Sequence, residues 1–268
     1  MKLITSADNP AFKRWVRLAE TPRAVRAQHR TLAEGPHLAE AMHRAGVAVE
    51  AFLLRRGGDR ADVHAWTETF RAGGTEGFEL APGLFDRLSP VERGSGLLLV
   101  FRLPAPQPIV PGDALFLDGI QDPGNAGALL RIAAAAGVRS VLAAPGTVGL
   151  WSPKVLRGGQ GAHFHLHLHE DIEAAALRSV LPMPWIGATA HAGTPLWDAP
   201  IAGTALGFMV GAEGAGLSPA AAAACDGYVT IPLAGGVESL NVGAATAICL
   251  FERRRQVEAL RASRHPPA

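Results

Sequence analysis

Three times in its second half the chain runs an apolar, strand-like stretch straight into a glycine-rich turn and then a polar helix start. The stretches are residues 117–138 (LDGIQDPGNAGALLRIAAAAGV), 208–219 (FMVGAEGAGLSP) and 229–252 (VTIPLAGGVESLNVGAATAICLFE). Strand–turn–helix repetition of this kind argues an α/β domain whose mostly parallel sheet is covered on both faces. In such a sheet ligands bind outside the carboxyl ends of the strands, where these turns lie. Strands are expected at 114–117, 140–143, 163–168, 185–188, 205–210 and 228–231. Asp122 and Pro123 read as N-cap and first turn of a helix that Gly137 ends, and a last helix spans about 241–260.

A proline-rich seam precedes this half. LPAPQPIVPGD, residues 103–113, places four prolines where neither a helix nor a central strand tolerates them. The seam divides the chain into residues 1–105 and 106–268, within the two-domain range for 268 residues. In the first part strand-like runs at 31–33, 47–54 and 97–101 alternate with helical ones at 10–19, 37–45, 60–71 and 82–88, a small α/β unit. The polar tail, residues 261–268, is expected to fray.

Charge separates the halves. Residues 1–105 carry 15 Lys/Arg against 12 Asp/Glu, and residues 106–268 carry 10 against 12. The densest basic run is Lys13, Arg14, Arg17, Arg23, Arg26 and Arg30, opposed only by Glu20. It reads either as a polyanion-binding face or as the solvated side of an early helix. No apolar run is long enough to span a bilayer, and the amino-terminal MKLITSADNPAFKRW has no apolar core of a secretory signal. Two cysteines, Cys225 and Cys249, form no CxxC pair, so neither a disulfide framework nor a thiolate zinc site is expected, and a reducing cytoplasm is.

Within the three stretches, Asn125 places an amide near a helix start and Arg131 follows six residues later, about 120° round the helix. Local sequence leaves Asn125 readable as a cap and Arg131 as a surface cation. Glu213 ends a buried strand between glycines that admit a ligand to the backbone, and it also reads as a helix-capping carboxylate. Ser239 and Asn241 open the last helix, where either makes an N-cap or a polar pocket for a hydroxyl. The glycines of the first stretch do not form GxGxxG, which argues against a dinucleotide-binding oxidoreductase.

The three stretches together resemble motifs one, two and three of the SpoU (TrmH-type) RNA 2′-O-ribose methyltransferases of the SPOUT superfamily. Asn125 to Arg131, GxExxGL around Glu213, and IPLxGxxxSLNV over residues 231–242 carry the likeness. Gly243 departs from the family's more common serine. TSADNPAFKRWVRL and LAEGPHLAEAM are similar to the RNA-binding domain that precedes many such enzymes, a small ribosomal-protein-like α/β fold. The resemblance implies a trefoil-knotted carboxy-terminal domain that binds S-adenosyl-L-methionine near Thr189, Gly211, Ile231, Leu233 and Leu240. It implies catalytic roles for Asn125, Arg131, Glu213, Ser239 and Asn241, a homodimer with its active site at the interface, and no metal. The implied activity is 2′-O-methylation of RNA, more specifically rRNA. A tRNA substrate and a non-catalytic RNA-binding or ribosome-assembly role on the same fold are the alternatives.

Two runs remain. Alternation over His163, His165, His167 and His169 places four rings on one face of a strand, which resembles a metal array. Without accompanying cysteines or carboxylates, a sheet-lining or interface role is expected instead. Arg253, Arg254 and Arg255 are expected near the end of the last helix, where the dipole favours cations, with an RNA contact as a secondary reading.

Overall fold

A computed structural model describes residues 1–91 and 94–264 of the chain; of the tail expected to fray, residues 261–264 instead continue the last helix and 265–268 lie outside the described residues. The protein forms two compact units: residues 1–105 with 149–164, and residues 106–148 with 165–268.

The first unit runs β1 (Lys2–Ile4), α1 (Pro10–Glu20), α2 (Pro22–Gln28), β2 (Arg30–Glu34), α3 (Pro36–Arg44), β3 (Val49–Arg55), α4 (Ala61–Ala72), β4 (Glu76–Leu80), α5 (Pro82–Leu88) and β5 (Leu97–Arg102). Its sheet has the order β1-β4-β3-β5-β2, with β5 antiparallel to both neighbours and the remaining pairs parallel. Every helix in this list except α4 opens with proline at its first position, where the missing N–H costs nothing. Asn9 caps α1, its Oδ1 accepting from Ala11 N at 2.9 Å and Phe12 N at 3.3 Å. Phe12, Trp15 and Leu18 then share one face of α1 and pack with Leu53, Phe78 and Leu98 of the sheet. Each such fully buried side chain contributes about 1.5–3 kcal/mol.

The seam predicts a simple cut at 105/106, but residues 149–164 pack into the first unit. They include α7 (Pro153–Gly159) and a 3-10 turn, Ala162–His165. Leu156 is fully buried with Leu38, Phe52 and Phe101, and Trp151 and Phe164 pack on the same cluster. The Thr31 hydroxyl, also fully buried, donates to Trp151 O at 2.7 Å. Such docking depends on contacts more than a hundred residues apart and leaves no local pattern.

In the second unit the order is β6 (Ala114–Asp118), α6 (Pro123–Ala136), β7 (Ser140–Ala143), β8 (His167–His169), α8 (Leu177–Val180), β9 (Trp185–Thr189), β10 (Thr194–Pro195), β11 (Gly207–Gly211), α9 (Pro219–Ala224), β12 (Gly227–Thr230) and α10 (Val242–Arg264). The sheet order is β10-β12-β9-β11-β6-β7-β8, and every pair is parallel. Its central strands read as unbroken apolar runs because both faces are covered; all of β6 is buried. Gly137 ends α6 in the left-handed conformation, at φ 85°.

The strand expected over residues 163–168 forms only as the short β8, His167–His169. His163 is drawn into the first unit, 1% exposed, with Nε2 donating to Leu150 O at 2.8 Å and its ring 5.2 Å from that of Trp151. Burial pushes its pKa down to about 4. His165 ends the 3-10 turn, exposed, and only His167 and His169 share a face of the three-residue β8. Four rings therefore never line up. Among the described residues no three His, Cys, Asp or Glu side chains cluster as a metal set would.

The arginine run differs too. Since α10 continues to Arg264, residues 253–255 sit mid-helix rather than near its end. Arg253 is 4% exposed and grips Asp113 through Nε (3.1 Å) and Nη2 (3.0 Å), while Nη1 and Nη2 also donate to the carbonyls of Ile201 and Thr204. Asp113 Oδ1 in turn accepts from Leu206 N at 2.9 Å. Arg253 thus clasps the last helix to the start of β6 and the approach to β11. Arg254 and Arg255 pair with Glu258 and Glu252 on the same helix. Among the described residues no helix is long and apolar enough to cross a membrane.

Candidate active site

The strands of the second unit all point the same way, so their carboxyl ends share one edge. There β6 ends at Asp118 opposite Gly211, the last residue of β11. The turn after β11 folds straight back: Gly216 N donates to Ala212 O at 2.8 Å. A Cβ on Gly211 would lie 2.1 Å from the carbonyl of Gly216, so only glycine allows this return. Asp118, which is not among the expected site residues, fastens the far end of the turn. Its carboxylate, on a residue only 7% exposed, accepts from Ser218 N at 2.6 Å and from the Ser218 hydroxyl at 3.2 Å. The only sequence signal for it is an acidic residue ending a wholly apolar strand.

Beside this turn lies a cavity of about 780 Å³, within the range of small-molecule sites. The turns after β9, β11 and β12 and the first turns of α10 line it. Thr189, Gly211, Ile231, Leu233 and Leu240 all border it, as do Glu213, Ser239 and Asn241. Glu213 and Glu238 bring carboxylates to the lining and no Lys or Arg does. The Thr189 hydroxyl donates to Ala192 O and closes the turn after β9. Cys249, from α10, is 1% exposed, and burial raises its thiol to about 12, so it stays protonated.

Asn241 joins the three motifs. Its Oδ1 caps α10, accepting from Gly243 N at 2.9 Å and Ala244 N at 3.3 Å. Its Nδ2 donates to Glu213 Oε1 at 2.8 Å and to Asn125 Oδ1 at 3.1 Å. The cap is therefore Asn241 and not Ser239, which is exposed two residues upstream. Asn125 is not the cap of α6 either: Asp122 is, accepting from Asn125 N at 2.7 Å. That frees the Asn125 amide for the cluster. Gly243 is buried against α6, where a Cβ would come within 3.6 Å of Ile132 Cδ1 and 3.9 Å of Ala128 Cβ. Arg131 lies apart from the cavity lining, exposed on α6, and no hydrogen bond or ion pair holds its guanidinium among the described residues.

The apolar side chains of α10 face inward more than outward. Cys249 and Leu250 are buried in their own unit, and Val242 and Ala245 line the cavity. What remains outside is Ala244 and Phe251, with Ile248 half-buried. In the first unit, Lys13 pairs with Asp8 at 2.8 Å, Arg30 takes Glu50 in a fork at 2.6 and 3.0 Å, and Arg26 is engaged as well. Arg14, Arg17 and Arg23 stay exposed without an ion pair among the described residues.

Comparison with known proteins places the chain in a family. The SpoU rRNA methylase family matches residues 114–251. The Bacillus subtilis (strain 168) 23S rRNA (guanosine(2553)-2′-O)-methyltransferase RlmP is 30% identical over 259 residues, 95% of this chain and 100% of that protein. A crystal structure of an RNA 2′-O ribose methyltransferase superposes with a TM-score of 0.78 at 32% identity, covering 95% of this chain and 98% of that one. The SpoU methyltransferase AviRb from Streptomyces viridochromogenes, in complex with AdoMet, gives a TM-score of 0.81 at 25% identity, covering 92% and 98%. With the family matched across half the chain and a relative aligned along nearly all of it, the chain belongs to the SpoU rRNA methylase family.

Proposed function

We propose that this protein transfers a methyl group from S-adenosylmethionine to a ribose 2′-hydroxyl of ribosomal RNA. The observation that carries the reading is the junction of Asn125, Glu213 and Asn241 at the mouth of the cavity. The cavity suits the cofactor. Gly211 offers backbone without a side chain, and Glu213 and Glu238 give an anionic lining that favours a cationic sulfonium and ammonium. Thr189, Ile231, Leu233 and Leu240 would hold it, largely through backbone groups. When bound, S-adenosylmethionine supplies an activated methyl and so needs no Lewis acid.

What the chain must then do is orient a poor nucleophile. Fixing the hydroxyl in line with the methyl contributes several kcal/mol, out of about 7–11 kcal/mol available from orientation. Asn241 fixes Glu213 and Asn125 relative to the first turn of α10, and Ser239 adds a hydroxyl beside them. An arginine side chain is not suited to act as a base. The role of Arg131 is to pair with an RNA phosphate and stabilise the developing alkoxide, and its exposed guanidinium, unpaired among the described residues, suits that.

The first unit binds the RNA, with Arg14, Arg17 and Arg23 as its available cations on α1 and α2. The enzyme is a cytoplasmic homodimer, and the exposed Phe251 face of α10 supplies apolar area for a two-fold contact. Its second unit is threaded as the family's trefoil knot.

Ribose-methylation mapping of rRNA from cells with and without the gene tests the activity. One 2′-O-methyl mark that disappears with the gene and returns with the wild-type chain is the expected result. An unchanged rRNA map, with a tRNA mark lost instead, would transfer the activity to tRNA.

A further inference from the structure

The first unit holds a second group of cations, at the edge where β2, β3 and β4 end. Gly35 N donates to Leu97 O at 3.0 Å and Arg55 N to Gly96 O at 2.9 Å, so the chain leaving β2 and the chain leaving β3 flank the start of β5. Arg56 projects from this edge, exposed. Arg157 reaches it from α7, half-buried: its Nη1 lies 3.7 Å from where a Cβ on Gly35 would sit. Gly35 itself has φ +103°, a conformation that other residues rarely adopt. Lys154 lies three residues before Arg157 on the same face of α7, exposed.

Among the described residues no hydrogen bond or ion pair engages the charged group of Arg56, Lys154 or Arg157. Elsewhere in this unit Arg30, Arg44, Arg55, Arg60, Arg71 and Arg87 pair with carboxylates, and the other cations left without an ion pair among the described residues, Arg14, Arg17 and Arg23, are exposed on α1 and α2 rather than half-buried as Arg157 is. The carboxylates bonded to this edge are already committed. Glu34, 2% exposed, accepts from the Ser89 hydroxyl at 2.7 Å and Ser95 N at 2.8 Å, and Asp86 is held by Arg55 at 2.8 and 3.2 Å. A half-desolvated guanidinium to which no described residue brings a counter-charge is favourably completed by an anion. Its planar fork matches a phosphate, which it takes in two parallel hydrogen bonds.

We propose that this edge is a phosphate-docking surface for the RNA substrate, separate from the α1–α2 cations, with Arg56, Lys154 and Arg157 each meeting a backbone phosphate. The inference rests on the reading that this chain acts on RNA. It also explains the α7 excursion, since a helix encoded within the family-matched stretch completes the RNA face of the first unit.

The test uses the full chain and transcribed 23S rRNA, with affinity measured across a salt series. Log affinity falls linearly with log salt, with a slope of about 0.7–0.9 per phosphate neutralised. Replacing Arg56, Lys154 and Arg157 together by Ala should reduce that slope by about 2–3 and weaken binding at least about tenfold at low salt, leaving S-adenosylhomocysteine affinity unchanged. Should Arg157→Ala unfold the protein, the exposed pair Arg56→Ala and Lys154→Ala should still remove about 1–2 from the slope. An unchanged slope in a chain that still methylates rRNA would overturn this inference alone, as would a slope lost only on replacing Arg14, Arg17 and Arg23. A wild-type chain that neither binds nor methylates rRNA would instead remove the functional reading beneath it.

Discussion

The Asn241 side chain donates to Glu213 at 2.8 Å while its carbonyl oxygen caps α10, so one amide both starts a helix and holds the Glu213 carboxylate. The two roles separate by substitution. Asn241→Asp keeps an oxygen for Gly243 N and adds favourable charge at the helix start. It removes the donor to Glu213 and Asn125. The cap should survive, any fall in melting temperature coming from the carboxylate now set against Glu213, while turnover falls about tenfold or more, about 1.4 kcal/mol in the barrier. Asn241→Ala should lose turnover and also about 0.5–2 kcal/mol of stability. Wild-type turnover in Asn241→Asp would show the bridge to be idle.

Arg131→Ala should lower methyl transfer by about 10²–10³-fold, the scale of one lost transition-state donor. Because Arg131 lies outside the cavity lining, S-adenosylhomocysteine affinity should stay within a few-fold. Calorimetric titration beside a single-turnover assay separates the two. A parallel loss of cofactor affinity would place Arg131 in the cofactor site instead.

Arg253 should behave unlike its neighbours. Arg253→Ala strands Asp113 and three backbone carbonyls, and breaking a buried pair costs about 3–5 kcal/mol. Arg254→Ala breaks an exposed pair and Arg255→Ala one whose arginine is exposed, both along one helix, and each should cost less than about 1 kcal/mol. Urea denaturation of the three variants distinguishes the clasp from the surface charges.

Several of these distinctions were legible in sequence and others were not. Asp122, Pro123 and Gly137 bound α6 where their chemistry says, because caps are local. The ends of β6 and β11 are likewise plain from apolar runs meeting glycine, and that of β12 from Pro232. The histidine alternation misleads because period two describes a strand only if the sheet accepts it. Burial of His163 against Trp151 twists that segment into a 3-10 turn first. Ser239 and Asn241 are equally good caps by type, and only the bridge to Glu213 distinguishes them. Arg253 looks like its neighbours until Asp113, 140 residues away, is in place.

Acid should weaken the first unit through His163. Its folded pKa, about 4, lies below the unfolded value of about 6.5, so between those pH values the unfolded chain binds the extra proton. Stability therefore declines as pH falls from about 6.5 to 4, by at most about 3 kcal/mol, and is level above that window. In His163→Gln this component of the decline should vanish. Urea midpoints at pH 7 and pH 5 for both proteins check it; an equal drop in the two would exclude His163 as the cause.

Phe251, 46% exposed on α10, reports on assembly. Sedimentation at micromolar concentration should give about twice the 27.9 kDa chain mass, and Phe251→Glu should shift it toward the monomer. A fully active wild-type monomer would refute the dimer.

The excursion of residues 149–164 into the first unit has a consequence for synthesis. A nascent chain that has emerged only to residue 105 lacks Trp151, Leu156 and Phe164, so one side of that unit's core is still uncovered. At roughly 5–20 residues per second, the 59 residues from 105 to 164 take about 3–12 seconds to follow. Through that interval the half-built unit displays an apolar patch around Leu38, Phe52 and Phe101, while β6, α6 and β7 are already emerging. The two units thus mature as overlapping rather than successive events on the ribosome.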